Sequence, residues 1–197
     1  MSAPTRFSQA ISEGDGIALI ARVDSADDAV RAASDGADAL LVHGGRQEVL
    51  DAIRAATPLP VLFHWDREHG DQLAGADACV VDARGDRDRD WLHQVHERVG
   101  DSHEIALRIG DEEHLELALE EFDPEIVILA AAHTNGEEGI EEVLDLLPDV
   151  PAGKLAIAEV AVSVPEDVAA LERAGMDGVI VDAVRVGALV GDEPPEV

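Results

Sequence analysis

The sequence predicts an α/β fold, a single-domain (β/α)8 TIM barrel with short loops, and three observations carry that prediction. First, eight short apolar runs alternate with amphipathic stretches over 197 residues, leaving about 25 residues per unit, enough for one strand, one helix and tight turns. Second, the junction Gly-Ala-Asp recurs at Gly36–Asp38 and Gly75–Asp77, with the variant Gly175-Met176-Asp177, each time closing a helical stretch and opening an apolar run. Third, the first apolar run is followed by Val23-Asp24-Ser25-Ala26. A doubly wound open sheet, the runner-up, needs a glycine-rich phosphate turn there.

Taken in order, the strands are expected at 17–23, 38–43, 59–64, 77–82, 104–109, 125–130, 154–159 and 177–182. Continuous apolar runs of this length suit strands covered on both faces, as in a parallel sheet. Helical spacing marks Ala26–Ser34, Glu48–Ala56, Glu112–Glu121, Glu141–Leu147 and Pro165–Ala174. In Glu112–Glu121 the stripe is Leu115 and Leu119, continued by Phe122. Ser25 and Ser163 stand where N-caps belong, Pro165 in a first turn, and Gly36 and Gly175 where a left-handed residue ends a helix. The barrel is expected over 17–191, with an N-terminal extension over 1–16 and a tail over 192–197.

Composition excludes several classes. With 14 basic against 43 acidic residues the formal net charge is −29, which repels the phosphate backbone of nucleic acid. A single cysteine, Cys79, rules out an internal disulfide framework. It is expected to act as a small apolar residue of the fourth strand. No run of 18 apolar residues offers a membrane span, and residues 1–15 lack the apolar core of a signal peptide, so a cytoplasmic location is expected. Lys154 is the only lysine, and Tyr is absent. That profile resembles proteins adapted to molar salt, where the Debye length shrinks to about 3 Å and self-repulsion is screened.

The residues 156–181, AIAEVAVSVPEDVAALERAGMDGVIV, resemble the segment from strand 7 to strand 8 of the indole-3-glycerol-phosphate synthase family. Residues 105–119 resemble its strand 5 and helix 5. Pro60–Trp65 and Ile20–Asp24 stand at its strands 3 and 1. The resemblance runs from about residue 17 to 190 and is shared in part with other phosphate-binding barrels. It implies a (β/α)8 carboxy-lyase of tryptophan biosynthesis that closes an indole ring by acid catalysis. The family uses lysines at the ends of strands 1 and 3, and glutamates on strands 1, 5 and 7. It binds the substrate phosphate on backbone N–H groups beside glycines after strands 7 and 8. This sequence departs from that pattern nearly everywhere. Asp24 and His64 stand at the lysine positions, Arg22 and Arg108 at two of the glutamate positions, and only Glu159 matches. Ala161 and Asp182 stand at the phosphate-site glycines.

Polar residues gather at the predicted C-terminal strand ends, where barrel enzymes build their sites: Asp24, His43, His64, Asp66, Asp82, Arg84, Arg108, Asp111, His133, Glu159, Asp182 and Arg185. His64 and Glu159 can form a proton-transfer pair, or a hydrogen bond left from an ancestral site. Arg22 and Arg108 can clamp an anion, or neutralise Glu159 and Asp24 inside the barrel. His43, His64 and His133 with Asp82 or Glu159 are a candidate metal set without local ligand spacing. His43-Gly44-Gly45 is a candidate anion turn or a plain tight turn. Trp65 is either an aromatic ligand wall or a packing residue. His93, His96, His103 and His114 are expected to be solvated.

The resulting expectation is an indole-3-glycerol-phosphate synthase-like barrel with altered or lost activity on a small anionic metabolite. If it is catalytic, lyase or isomerase chemistry is expected, with His64, Glu159 and Asp24 as catalytic residues and Arg22, Arg108, His133 and Asp182 as ligand-binding ones. No cofactor, metal, nucleic-acid or membrane partner is called for. The rival is a non-catalytic barrel serving as a regulatory or pathway-partner subunit. A mouth filled by Arg22–Glu159 and Arg108–Asp pairs favours the rival. An open pocket with His64 and Glu159 unpaired favours an enzyme.

Overall fold

The computed structural model describes residues 7–14, 16–43, 47–65, 75–85, 89–99, 103–131 and 136–190. Eight parallel strands follow one another around a closed barrel: β1 (Ala18–Val23), β2 (Ala39–His43), β3 (Val61–His64), β4 (Ala78–Asp82), β5 (Glu104–Ile109), β6 (Ile126–Ala130), β7 (Leu155–Glu159) and β8 (Gly178–Asp182). Closure is made by β1 against β8, from Ala18 opposite Gly178 to Arg22 opposite Asp182. The helices are α1 (Phe7–Ser12), α2 (Ala26–Ser34), α3 (Gln47–Ala56), α4 (Arg89–Val99), α5 (Glu112–Glu121), α6 (Gly136–Leu146), α7 (Pro165–Ala174) and the short α8 (Val186–Leu189). The predicted barrel is the observed one. No helix among the described residues is long and apolar enough to cross a membrane.

Strand alternation divides the core in two. Side chains at one parity, such as Leu19, Leu40, Phe63, Val81, Leu107 and Val179, pack outward under the helices. Those at the other parity, including Ile20, Leu41, Leu62, Val80, Ile128, Ile157 and Ile180, fill the barrel. Phe7 and Ile11 of α1 join this inner cluster and are almost completely buried. The backbone N–H of Ser8 donates to Glu104 Oε2 at 2.9 Å, at the start of β5, so α1 closes the N-terminal end of the barrel.

The recurring Gly-x-Asp junction has a physical reason. Gly36, Gly75 and Gly175 take φ of 98°, 99° and 102°, where any side chain would be strained, so the chain can turn sharply before the next strand, at Gly36 and Gly175 directly out of a helix. Two residues on, the aspartate tethers the next strand to a neighbour. Asp38 Oδ2 accepts from Leu19 N at 2.8 Å, Asp77 Oδ2 from Val61 N at 2.7 Å, and Asp177 Oδ2 from Ala156 N at 2.8 Å. Each of these aspartates also donates its own N–H to the neighbouring segment, to Leu19 O, Val61 O and Ala156 O respectively. The N-terminal rim is therefore stitched by backbone–carboxylate bonds that the motif repeats.

Caps agree in part with expectation. Ser25 caps α2, its Oγ accepting from Asp28 N at 3.2 Å. Ser163 does not cap α7. The N-cap is Val164, and the Asp167 carboxylate reaches back to accept from Ser163 N at 2.7 Å and Val164 N at 3.2 Å. A carboxylate in the first turn replaces the serine because it meets two N–H groups at the positive end of the helix.

Candidate functional site

One pleat above the apolar filling, the inward positions change character. They are Arg22, His43, His64, Asp82, Arg108, Ala130, Glu159 and Asp182, one from each strand, because each lies two residues past a residue of the inner parity. Register sets the neighbours. Arg22 lies opposite Asp182, His43 opposite His64, Asp82 opposite Arg108 and Ala130 opposite Glu159.

Glu159 is the hub. Its Oε1 accepts from Arg22 Nη2 at 2.9 Å and from Arg108 Nη2 at 2.5 Å, and its side chain is only 10% exposed. Arg22 also donates from Nη1 to Asp182 Oδ1 at 2.8 Å, but Asp182 is 61% exposed. Arg108 Nη1 stands 3.4 Å from Asp82 Oδ2, while its Nε is buried without an acceptor. Arg84, in the turn after β4, grips Asp82 with both arms of its fork, from Nε to Oδ1 at 2.9 Å and from Nη2 to Oδ2 at 2.8 Å. Burial alone would raise the Asp82 carboxyl. The bonds and charge of Arg84, together with the charge of Arg108, outweigh it and hold Asp82 below the usual carboxylate range.

The histidines divide into two kinds. His64 stacks on His43 with ring centroids 4.4 Å apart. Burial lowers its pKa to about 4, and His43 and Arg108 push the same way against Asp82 and Glu159, so the ring is neutral near pH 7. Its Nε2 is buried without a hydrogen-bond partner. His114, expected to be solvated, is instead a strut between two turns of the mouth. Its Nδ1 meets Asp111 Oδ1 at 2.6 Å and its Nε2 meets Gly85 O at 2.7 Å. Both partners are acceptors, so both ring nitrogens carry protons in this arrangement. Burial opposes that charge, but the bonds to Asp111 and Gly85 prevail and its pKa is raised.

Of the sequence-expected site residues, Arg22, Arg108, Glu159 and Asp182 are brought into one bonded cluster. His64 stands in the same ring but shares no hydrogen bond with Glu159, whose Oε1 is taken by the two arginines. Asp24 is exposed past the end of β1 and is not among the carboxylates that pair with Arg22 or Arg108. His133, Asp66, Gly44 and Gly45 lie outside the described residues. Among the described residues no three side chains of His, Cys, Asp or Glu are grouped as metal ligands. Trp65 is 4% exposed and packs in the sheet–helix core, so it is a packing residue rather than a wall of the mouth. Cys79 is buried in the same core, and burial pushes its thiol up to about 12.

A cleft of about 280 Å³ opens beside the cluster between the ends of β7 and β8. Arg22, Arg108, Glu159, Asp182 and Arg185 supply its charges, and Val160, Ala161, Val162, Ile180 and Val181 its apolar wall. The residues harder to find from sequence are Arg84 and His114 as partners of their neighbours. Asp82-Ala83-Arg84 and Asp111 three residues before His114 were the available signals. Lys154 lies at the other end of the barrel, before β7, and donates to Asp123 Oδ1 at 2.6 Å and Pro124 O at 2.9 Å.

A closed parallel barrel of eight strands, with a polar ring and a cleft at the C-terminal strand ends, defines a TIM barrel. More narrowly, the chain is a divergent indole-3-glycerol-phosphate synthase-like barrel. It is 31% identical over 142 residues to the indole-3-glycerol phosphate synthase of Variovorax paradoxus (strain S110), covering 70% of this chain and 53% of that protein. The chain thus spans about half the length of that curated relative. No family model matches the chain.

Proposed function

We propose that this barrel has left indole ring closure behind and holds a small anionic metabolite at its mouth without carrying out the synthase reaction. One observation carries the reading: the mouth has no amine. The single lysine of the chain, Lys154, is bound at the opposite end, and the cations of the polar ring are guanidinium groups. A guanidinium with a pKa above about 12 stabilises negative charge but does not deliver a proton near neutrality. His64 is no substitute as an acid, since its pKa of about 4 leaves it unprotonated there. Glu159, the residue that matches the family pattern, is tied to two arginines rather than poised beside a proton donor.

Anion binding fits what remains. Arg22, Arg108 and Arg185 line the cleft against Glu159 and Asp182, an excess of one positive charge in a chain of net −29. Purified protein in multimolar KCl, where its acid surplus is screened, is incubated with the synthase substrate while indole fluorescence is followed. No turnover above buffer is expected. Turnover at a rate ordinary for a synthase overturns the reading.

A further inference from the structure

The cleft contains a carboxylate that is not built in like the other one. Glu159 is nearly buried and held by two guanidinium groups, whereas Asp182 is 61% exposed and, among the described residues, held by Arg22 alone at 2.8 Å. Asp182 is the last residue of β8, with φ −71° and ψ 138°, ordinary extended geometry that leaves the side chain free to rotate away. Both Asp182 and the Arg22 guanidinium it holds line the cleft. The apolar part of the wall beyond is formed by Val160 and Ala161, after β7.

We infer that Asp182 is an internal competitor: it occupies on Arg22 the position that the carboxylate of an incoming ligand takes, and the cleft selects small carboxylates with an apolar body. This rests on the reading of the mouth as an anion site and adds the ligand class and its gate. A carboxylate exchanges for the Asp182 carboxylate one for one, keeping the Arg22 bond and leaving Glu159 undisturbed. A phosphate dianion brings a second charge within reach of Glu159 and Asp182, and like charges at such range repel even in water. The apolar wall has no use for the extra oxygens.

The test titrates benzoate and inorganic phosphate into the full chain at one fixed KCl concentration, reading affinity by titration calorimetry in every protein and, where Arg22 is present, the site from its side-chain Nε–H resonance. The variants are Asp182→Asn, Arg22→Gln and the control Asp149→Asn, which removes the same charge from an exposed residue before β7 at the opposite end. An exposed ion pair is worth about 0.4–1 kcal/mol at the upper part of its range, so releasing Arg22 is expected to tighten benzoate about two- to five-fold in Asp182→Asn. Asp149→Asn is expected to match the parent, and Arg22→Gln to lose binding. Benzoate bound equally by the parent and Asp182→Asn overturns the competitor while leaving the anion site standing. Phosphate bound more tightly than benzoate overturns the ligand class. Failure of every variant and the parent to bind either anion overturns the anion site itself, and this inference with it.

Discussion

The two ends of this barrel are made from the same eight strands, yet they carry different chemistry. At the N-terminal end the inward positions are mostly Ala, Val, Ile and Leu, with Glu104 bound to the backbone of the α1 cap formed by Phe7 and Ile11, and the rim is stitched by Asp38, Asp77 and Asp177 to backbone N–H groups. At the C-terminal end the next inward positions are Arg, His, Asp and Glu, paired with one another across the ring. The lower layer draws on burial of apolar surface, which is non-directional and additive. The upper layer draws on charge pairs in which each group depends on a named partner. Stability is therefore concentrated below and specificity above, and single substitutions separate the two.

The largest effect is expected at the lower end. Phe7→Ala opens a cavity under the barrel and should lower unfolding free energy by about 3–5 kcal/mol in urea titrations at fixed KCl. A loss below about 1 kcal/mol would mean that α1 contributes little to closing the barrel. Next comes His64, on the upper layer. Its folded pKa of about 4 lies below the usual 6.5, so the unfolded chain takes up a proton first as pH falls. The neutral form is no liability above pH 6.5, and stability is lost as pH drops from 6.5 toward 4. Comparing the parent with His64→Gln over that window isolates the group from the many carboxylates. The parent is expected to lose up to about 3 kcal/mol more than the variant. Parallel curves would show that His64 is solvated.

The smallest effect is expected at His114, with the opposite sign. Its folded pKa is raised, so its contribution is complete below the unfolded value and is lost as pH rises through the folded value. His114→Gln should cost about 0.5 kcal/mol below the unfolded pKa of 6.5, a cost that fades as pH rises through the raised folded value, read from thermal or urea midpoints. A difference that grows with pH would place a neutral imidazole in the strut. The two histidines stand at one end of one barrel, yet the burial of one and the paired acceptors of the other send them in opposite directions.

Much of the fold was legible because its signals are local. Gly36, Gly75 and Gly175 announce the turns, and the alternation of Leu19-Ile20-Ala21-Arg22 already says that Ile20 and Arg22 share a face. The site was legible only as a list of strand-end residues. Arg22, Arg108, Glu159 and Asp182 were on it, but so were Asp24 and His133, and spacing could not rank them. Trp65 was ambiguous because its neighbour His64 points into the barrel and alternation sends Trp65 out. His114 was misjudged because its second partner, Gly85 O, lies 29 residues away on another turn.

By itself the sequence determined the eight-unit architecture, the parity of each strand and the absence of any amine from the upper ring. These depend on residue identity and on periods of two and 3.6 residues, which are written along the chain. Only the tertiary structure decided which charges meet. Arg22 reaches Glu159 across 137 positions because the ring closes, and Arg108 reaches it from the other side across 51. A contact at that separation is set by strand register and barrel closure, and no local pattern encodes it.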